Sequence, residues 1–222
     1  MIDETGDMDI IDTPNDLSSA LAADALDTLG HRAQCLGPDV RPLTLSQRVV
    51  GRAHPVRAVP AEDIAPARPY AGLLAALDVA PPGSVFVFAT GRSDAAGVWG
   101  ELITTASRAR GLAGALTDGL IRDVTSVAGS GFPVFSRGAT PYDSKGRVDV
   151  VEHGRPVVVD GVTIGPGDLV VGDADGVCIV PAALVDDVLD IVRRKRLGEN
   201  EFREAVAGGM PVSEAFRAFG VL

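Results

Sequence analysis

The sequence predicts a single α/β domain, and three features carry that prediction. Apolar runs with strand character alternate with stretches of helical periodicity from residue 51 to residue 138. From residue 156 the texture changes to short valine-rich runs broken by Asp-Gly and Ala-Asp-Gly turns, the mark of hairpins. The chain has 222 residues, 46% of them hydrophobic, which is enough for one large core. No internal repeat and no linker after residue 15 divides it.

Residues 1–14, MIDETGDMDIIDTP, are expected to form an acidic disordered tail closed by Pro14, and 15–222 the folded domain with a helical C-terminal tail. Asn15 or Ser18 can cap a helix carrying Leu17, Leu21, Leu26 and Leu29 and ended by Gly30. GRAHPVRAV (51–59) and VFVFAT (85–90) read as strands, with a helical stretch over 68–78 between them. Residues 97–111 read as a helix with Leu102, Ile103, Ala106 and Ala109 on one side. A short buried strand follows over 112–119, with Ile-Arg-Asp in the turn after it, then a short helix and a strand over 133–138. PVVV-DG-VTI and LVVGD-ADG-VCIVP read as strand–turn–strand units, and the chain from 182 is helical and highly charged.

Composition removes several function classes. A net charge of −10 argues against nucleic acid, because duplex binding needs phosphate-neutralising Lys and Arg on one face. It also disfavours an anionic membrane surface. No apolar segment approaches the roughly 20 residues of a membrane span, and the acidic start lacks the basic region of a signal peptide. A cytoplasmic protein is expected. Cys35 and Cys178 share no short spacing, so they make neither a zinc site nor a disulfide framework, and Cys178 reads as a core residue. His31, His54 and His153 share no ligand spacing. Asp173 and Asp175 lack the rest of a calcium loop and read as a turn, and RRKR (193–196) reads as a solvated helix face.

The chemistry concentrates between Trp99 and Asp123. Gly100 precedes a helix whose first amides are free to bind an anion. Arg122 and Asp123 follow a short strand, at the edge where α/β proteins build their sites. An arginine can grip a carboxylate with two parallel hydrogen bonds, and an aspartate is a hard oxygen ligand suited to Mg²⁺.

The segment GELITTASRARGLAGALTDGLIRD, followed by GFPVFSRGATPYDSKGR, closely resembles the family of 4-hydroxy-4-methyl-2-oxoglutarate aldolases and the regulator of ribonuclease activity A, the RraA-like family. ADALDTLG (23–30), GRAHPVRAVPAED (51–63) and PGDLVVGDADGVCIVP (166–181) extend the resemblance over nearly the whole chain after residue 15. It implies a layered β/β/α fold of the swivelling type, assembled as a homotrimer or homohexamer. It implies that the backbone around Gly100, Glu101, Leu102 and Ile103 holds a substrate's carboxylate and keto group. Arg122 matches the substrate-binding arginine and Asp123 the residue that holds a divalent metal. Glu101 stands where the aldolases carry an acid, twenty positions or so before the Arg-Asp pair. Ser126 departs from the pattern, where an acidic residue is common. An acidic side chain lent by a neighbouring subunit is also implied, and Glu199 is the candidate, with Glu201 beside it.

Carbon–carbon cleavage beside a keto group needs a Schiff-base lysine or a metal to stabilise the carbanion. The two lysines, Lys145 in a polar loop and Lys195 in a charged run, lack the apolar setting that activates an amine. The expected activity is therefore that of a class II lyase using Mg²⁺ or Mn²⁺. It would cleave 4-hydroxy-4-methyl-2-oxoglutarate, or a similar small 2-oxo acid, to pyruvate, with oxaloacetate decarboxylation as a companion activity. The alternative is a non-catalytic regulator that binds and inhibits a ribonuclease. A methyltransferase has little support, since no glycine-rich loop follows a first strand.

Overall fold

The computed structural model describes residues 17–221. The tail expected over 1–14, and Asn15 with it, lies outside the described residues. Helix α1 (Ser19–Thr28) starts where the Ser18 hydroxyl accepts the Leu21 amide at 3.2 Å, the role a short oxygen-bearing side chain fills at a helix start. Ser19 adds a long-range anchor: its amide and hydroxyl donate to the Asp173 carboxylate at 2.8 and 2.6 Å. The helix stops in a Schellman arrangement. Gly30, at φ +84°, donates to Asp27, and His31 donates to Leu26.

The chain then enters β1 (Arg41–Pro42) and the long strand β2 (Val49–Pro60). One edge of β2 takes β3 (Val85–Ala89) in parallel over residues 53–57. The other edge takes two strands in succession, β11 (Leu169–Asp173) over 49–52 and β8 (Val148–His153) over 56–60. A register shift at Arg57/Ala58 interrupts the β8 pairing. From β3 the sheet continues in parallel through β5 (Gly114–Thr117) to β7 (Val134–Ser136), and β1 pairs antiparallel with β7. At the other end β12 (Gly176–Val180) pairs with β11, giving the order β1-β7-β5-β3-β2-β11-β12. The sheet nearly closes, because Leu36 donates to Val177 at 2.9 Å and Ile179 to Gln34 at 2.8 Å. Residues 34–42 thus run from β12 to β7.

The crossover helices are α2 (Ala71–Val79), α3 (Glu101–Ala109) and α4 (Val124–Gly129). Two small sheets complete the set: β4 (Gly97–Trp99) with β6 (Leu120–Ile121), and the hairpin β9 (Val157–Val159) with β10 (Val162–Ile164). The hairpin turn is Asp160-Gly161, both at positive φ (52° and 85°), as a tight two-residue turn demands. The long helix α5 (Val185–Ala207) and α6 (Val212–Phe219) end the chain.

Three apolar clusters hold these layers. One lies between α2, α4 and the parallel strands, around Phe86, Trp99 and Phe132. A second fills the nearly closed sheet, where Val87, Leu116 and Phe135 meet the β9–β10 hairpin. The third packs α1 and α5 on β11 and β12. Each fully buried Leu, Ile, Val or Phe contributes roughly 1.5–3 kcal/mol. Strand β3 is buried at every position, as befits a parallel strand covered on both faces. The expected mixed α/β single domain is what the chain forms.

Two local expectations are corrected. Residues 97–99 are extended and not helical: they pair with β6 and bury Val98 and Trp99, and the helix starts only at Glu101. Of the predicted apolar side of that helix, Ile103 packs against the first cluster, but Leu102 is 74% exposed and the buried residues are Thr104 and Ser107. The Thr104 hydroxyl makes this possible by donating to the Gly100 carbonyl and accepting from Trp99 Nε1, both at 2.9 Å. Strand β8 was not anticipated, because its acidic residues break any apolar pattern.

Candidate active site

The parallel pairing of β4 with β6 brings two distant segments into register, with Gly97 opposite Leu120 and Trp99 opposite Ile121. The Arg122 amide donates to the Trp99 carbonyl at 2.8 Å. The start of α3 and the Arg122-Asp123 pair therefore lie side by side. Two glycines make the approach possible. A Cβ on Gly97 would stand 3.0 Å from Arg122 Cβ, and one on Gly100 would stand 2.7 Å from Asp123 Oδ2.

Asp123 is held in a left-handed conformation, φ 56° and ψ 35°. For a residue with a Cβ that costs roughly 1–2 kcal/mol. It precedes α4 yet makes no capping hydrogen bond to it. Its carboxylate turns to the other helix, where Oδ2 accepts the Glu101 amide at 3.2 Å. Among the described residues Oδ1 meets no donor. The amides of Leu102 and Ile103 follow as first-turn donors without an intrahelical acceptor.

Arg122 stands between two carboxylates. Its Nε is 3.7 Å from Asp123 Oδ2 and its Nη1 is 3.6 Å from Asp143 Oδ1. Both separations are those of ion pairs without a hydrogen bond, so the planar fork keeps its donors for a ligand. Asp143 is fixed from behind by Tyr70, whose hydroxyl donates to Oδ2 at 2.6 Å. Arg122, Asp123, Asp143 and Tyr70 face a cavity of about 300 Å³, whose apolar wall includes Leu73, Leu77, Trp99 and Ile103. Three or four convergent polar groups in an apolar-walled cleft are the usual form of a small-molecule site.

The predicted residues distribute as follows. Gly100, Leu102, Ile103, Arg122 and Asp123 line this cavity. Glu101 lines the adjoining cleft with Asp123 and Ser126, and its carboxylate accepts the Thr105 hydroxyl at 2.9 Å. Glu199 sits elsewhere in the single chain, pairing with Arg203 at 2.7 Å in a groove with Asp24 and Arg48. Tyr70 and Asp143 are additions that sequence reasoning missed. Asp143 lay inside the recognised segment GATPYDSKGR, but no spacing ties either residue to Arg122.

Among the described residues no group of three or more His, Cys, Asp or Glu side chains forms a metal cluster. One outward-facing carboxylate with an unengaged oxygen still suits Mg²⁺, which keeps most of its waters and takes one or two carboxylates plus substrate oxygens. Asp123 fits that requirement. No lysine lines the cavity.

A mixed α/β domain with a nearly closed sheet, and an Arg-Asp pair set against a helix start, is the class of protein that these observations define. The chain belongs to the RraA-like family, whose Aldolase/RraA model matches residues 19–179. It is 29% identical over 210 residues to the Halalkalibacterium halodurans protein named "Putative 4-hydroxy-4-methyl-2-oxoglutarate aldolase", covering 95% of this chain and 94% of that one. It is also 29% identical over 198 residues to protein DlpA of Legionella pneumophila, covering 89% of this chain. This chain spans only 32% of the length of DlpA. Among solved structures, an uncharacterized protein from Pseudomonas syringae pv. tomato superposes with a TM-score of 0.81 at 32% identity, covering 93% of this chain and 96% of that one. Streptomyces coelicolor RraAS2, described as an unusual member of the RNase ES inhibitor RraA protein family, gives 0.79 at 30% identity, covering 89% and 98%.

The Tyr70–Asp143–Arg122 chain has a measurable signature. Burial raises the Asp143 carboxyl, but the Tyr70 hydroxyl and the Arg122 charge outweigh it and hold the group below its ordinary value. Tyr70 is pushed the other way, first by its hydrogen bond to Asp143 and then by burial. The contact therefore stabilises the fold above the ordinary carboxylate range and is lost as pH falls through the lowered Asp143 value. At the alkaline end it is lost as pH rises through the raised Tyr70 value. In an ultraviolet titration of the two tyrosines, one should ionise above the ordinary value of about 10. Asp143→Asn should bring that transition down; an unchanged curve would remove the hydrogen bond from the account.

Proposed function

We propose that this protein is a divalent-metal-dependent lyase that cleaves 4-hydroxy-4-methyl-2-oxoglutarate, or a similar small 2-oxo acid, to pyruvate, and decarboxylates oxaloacetate. The observation that carries this reading is the Arg122 guanidinium, which makes no hydrogen bond among the described residues, beside Asp123 in the lining of an apolar-walled cavity. In it, the Arg122 fork takes the substrate carboxylate and the Leu102 and Ile103 amides donate to oxygens beside it. Leu73, Leu77 and Trp99 keep bulk water from the reacting carbons, which strengthens every polar contact there. Asp123 would hold Mg²⁺ or Mn²⁺, and when bound that ion supplies polarisation of the keto oxygen. Imine chemistry has no candidate, since Lys145 is exposed and Lys195 pairs with Asp24. The likeness to a named aldolase supports the same reading.

The deciding measurement is pyruvate release from oxaloacetate and from the hydroxy-methyl acid. EDTA should abolish turnover, and Mg²⁺ or Mn²⁺ should restore it. Full activity after thorough chelation, or a substrate adduct trapped by borohydride, would sink the mechanism. The solved relative described as belonging to an RNase ES inhibitor family supports a second, non-catalytic reading. Absence of pyruvate release together with slowed ribonuclease turnover would decide for it.

Arg122→Lys keeps the charge and loses the planar fork. With a charge-assisted hydrogen bond lost, kcat/KM should fall by about 1–3 kcal/mol in transition-state terms. Wild-type kinetics would leave Arg122 a structural role only.

Glu199 enters this reading through a neighbouring copy in a homotrimer or homohexamer. Mixing inactive Glu199→Ala and Asp123→Asn chains should then regenerate sites with both residues intact. An unimpaired Glu199→Ala enzyme, or a fully active monomer, would remove the shared site.

A further inference from the structure

We propose that Cys35 and Cys178 are a peroxide-responsive thiol pair whose disulfide reversibly locks the seam where the sheet closes. The pair is set by backbone geometry. Cys35 and Cys178 face each other in an antiparallel bridge. The flanking hydrogen bonds, Leu36 N–H to Val177 at 2.9 Å and Ile179 N–H to Gln34 at 2.8 Å, put the two cysteines at a non-hydrogen-bonded position. Opposed residues there have Cα atoms about 4.5 Å apart and side chains on one face. A disulfide spans Cα separations of about 4.4–6.8 Å. Sequence spacing hid this, since the partners come together only when residues 34–36 add to the edge of β12.

The two thiols differ as an attacking and a resolving group must. Cys35 is exposed and Cys178 is fully buried in the α1–β12 cluster. A hydrogen bond from Cys178 lowers the Cys35 thiol to about 7, against burial and the nearby Asp27 carboxylate. Cys178 is pushed up by the same hydrogen bond and by burial, with Asp173 and Asp27 adding to it. The thiolate is the nucleophile. Cys35 sulfur attacks one oxygen of hydrogen peroxide, an S–O bond forms, the O–O bond breaks, and the leaving hydroxide takes a proton to become water. Cys35 is then a sulfenic acid. Cys178 sulfur, losing its proton, attacks Cys35 sulfur; the S–S bond forms, the S–O bond breaks, and hydroxide leaves with that proton as a second water. Two thiols have lost two electrons and the peroxide has gained them. A dithiol reverses the change.

The disulfide would tie residues 34–36 covalently to β12, in the stretch that carries the chain across to β7. Arg41 already pins that stretch by donating to the Ala174 and Asp175 carbonyls at 3.3 and 2.7 Å. None of the residues lining the candidate active site lies in it, so this inference stands apart from the proposed function.

The test treats the reduced full chain with stoichiometric hydrogen peroxide. Two thiols per chain should disappear, and non-reducing peptide mapping should recover a Cys35–Cys178 crosslink that dithiothreitol removes. The thermal midpoint should rise on oxidation by about 5 °C or more, because the link closes a long loop. In Cys178→Ser, dimedone should trap Cys35 as a sulfenic acid with no internal crosslink. In Cys35→Ser, Cys178 should resist the same dose. If Cys178→Ser does not fold, the wild-type map and Cys35→Ser decide the matter. Cys35 driven to sulfinic acid while Cys178 stays a free thiol, or crosslinks only between chains, would overturn the proposal.

Discussion

Strand β2 has to satisfy its backbone against three different strands, and most of the architecture follows from how it does so. Its residues 49–52 serve β11, 53–57 serve β3, and 56–60 serve β8. A buried backbone group left unpaired costs as much as a lost hydrogen bond, so each change of partner must fall where the chain can bend. The changeover from β11 to β8 falls near Ala53, whose amide donates to Asp168 and whose carbonyl accepts from Gly167. Close packing limits the same strand, since a Cβ on Gly51 would stand 2.6 Å from the Gly83 carbonyl. With β2 in place, β3, β5 and β7 line up in parallel. Residues of α2 and α3, with the Arg122-Asp123 pair that precedes α4, then line the candidate site.

That site departs from local preference in ways that compactness alone does not require. Asp123 is in a left-handed conformation and caps nothing, although an aspartate before a helix ordinarily would. The apolar side of α3 faces a cavity while Thr104 and Ser107 face the core. Asp123 and Asp143 both crowd Arg122 without hydrogen bonding to it. The left-handed Asp123 carries a backbone cost, the other two leave polar and apolar groups turned to the cavity, and all occur within one cleft. Departures of this kind gather where a chain has been shaped for something other than its own packing.

The seam between β12 and β7 is where residues 34–42 close the sheet, with Leu36 and Val40 buried in the second apolar cluster. Among the described residues two backbone hydrogen bonds and the Arg41 Nη1 group bridge it, supported by Asp160, which accepts from Gly37 and pairs with Arg92. A covalent link there would act on the closure of the sheet without touching the cavity.

Much of this was legible in the sequence because it is local. The Asp-Gly turn at 160–161, the Ser18 cap and the Gly30 stop each depend on a few neighbouring residues, and the parallel strands read as apolar runs. Arg122, Asp123, Gly100, Leu102 and Ile103 were visible through the motif that carries them, and they do meet at one cavity. Tyr70 and Asp143 were not, because their link to Arg122 is a contact between side chains far apart in the chain. Strand β8 was hidden too, since an edge strand with acidic residues shows no apolar period. The stretch before α3 was misread because Gly97–Trp99 has no strand signal until β6 lies beside it. Cys35 and Cys178 were invisible as a pair for the same reason. Periodicity and turn chemistry act over a few residues, whereas pairing across a sheet is decided only when the whole chain has folded.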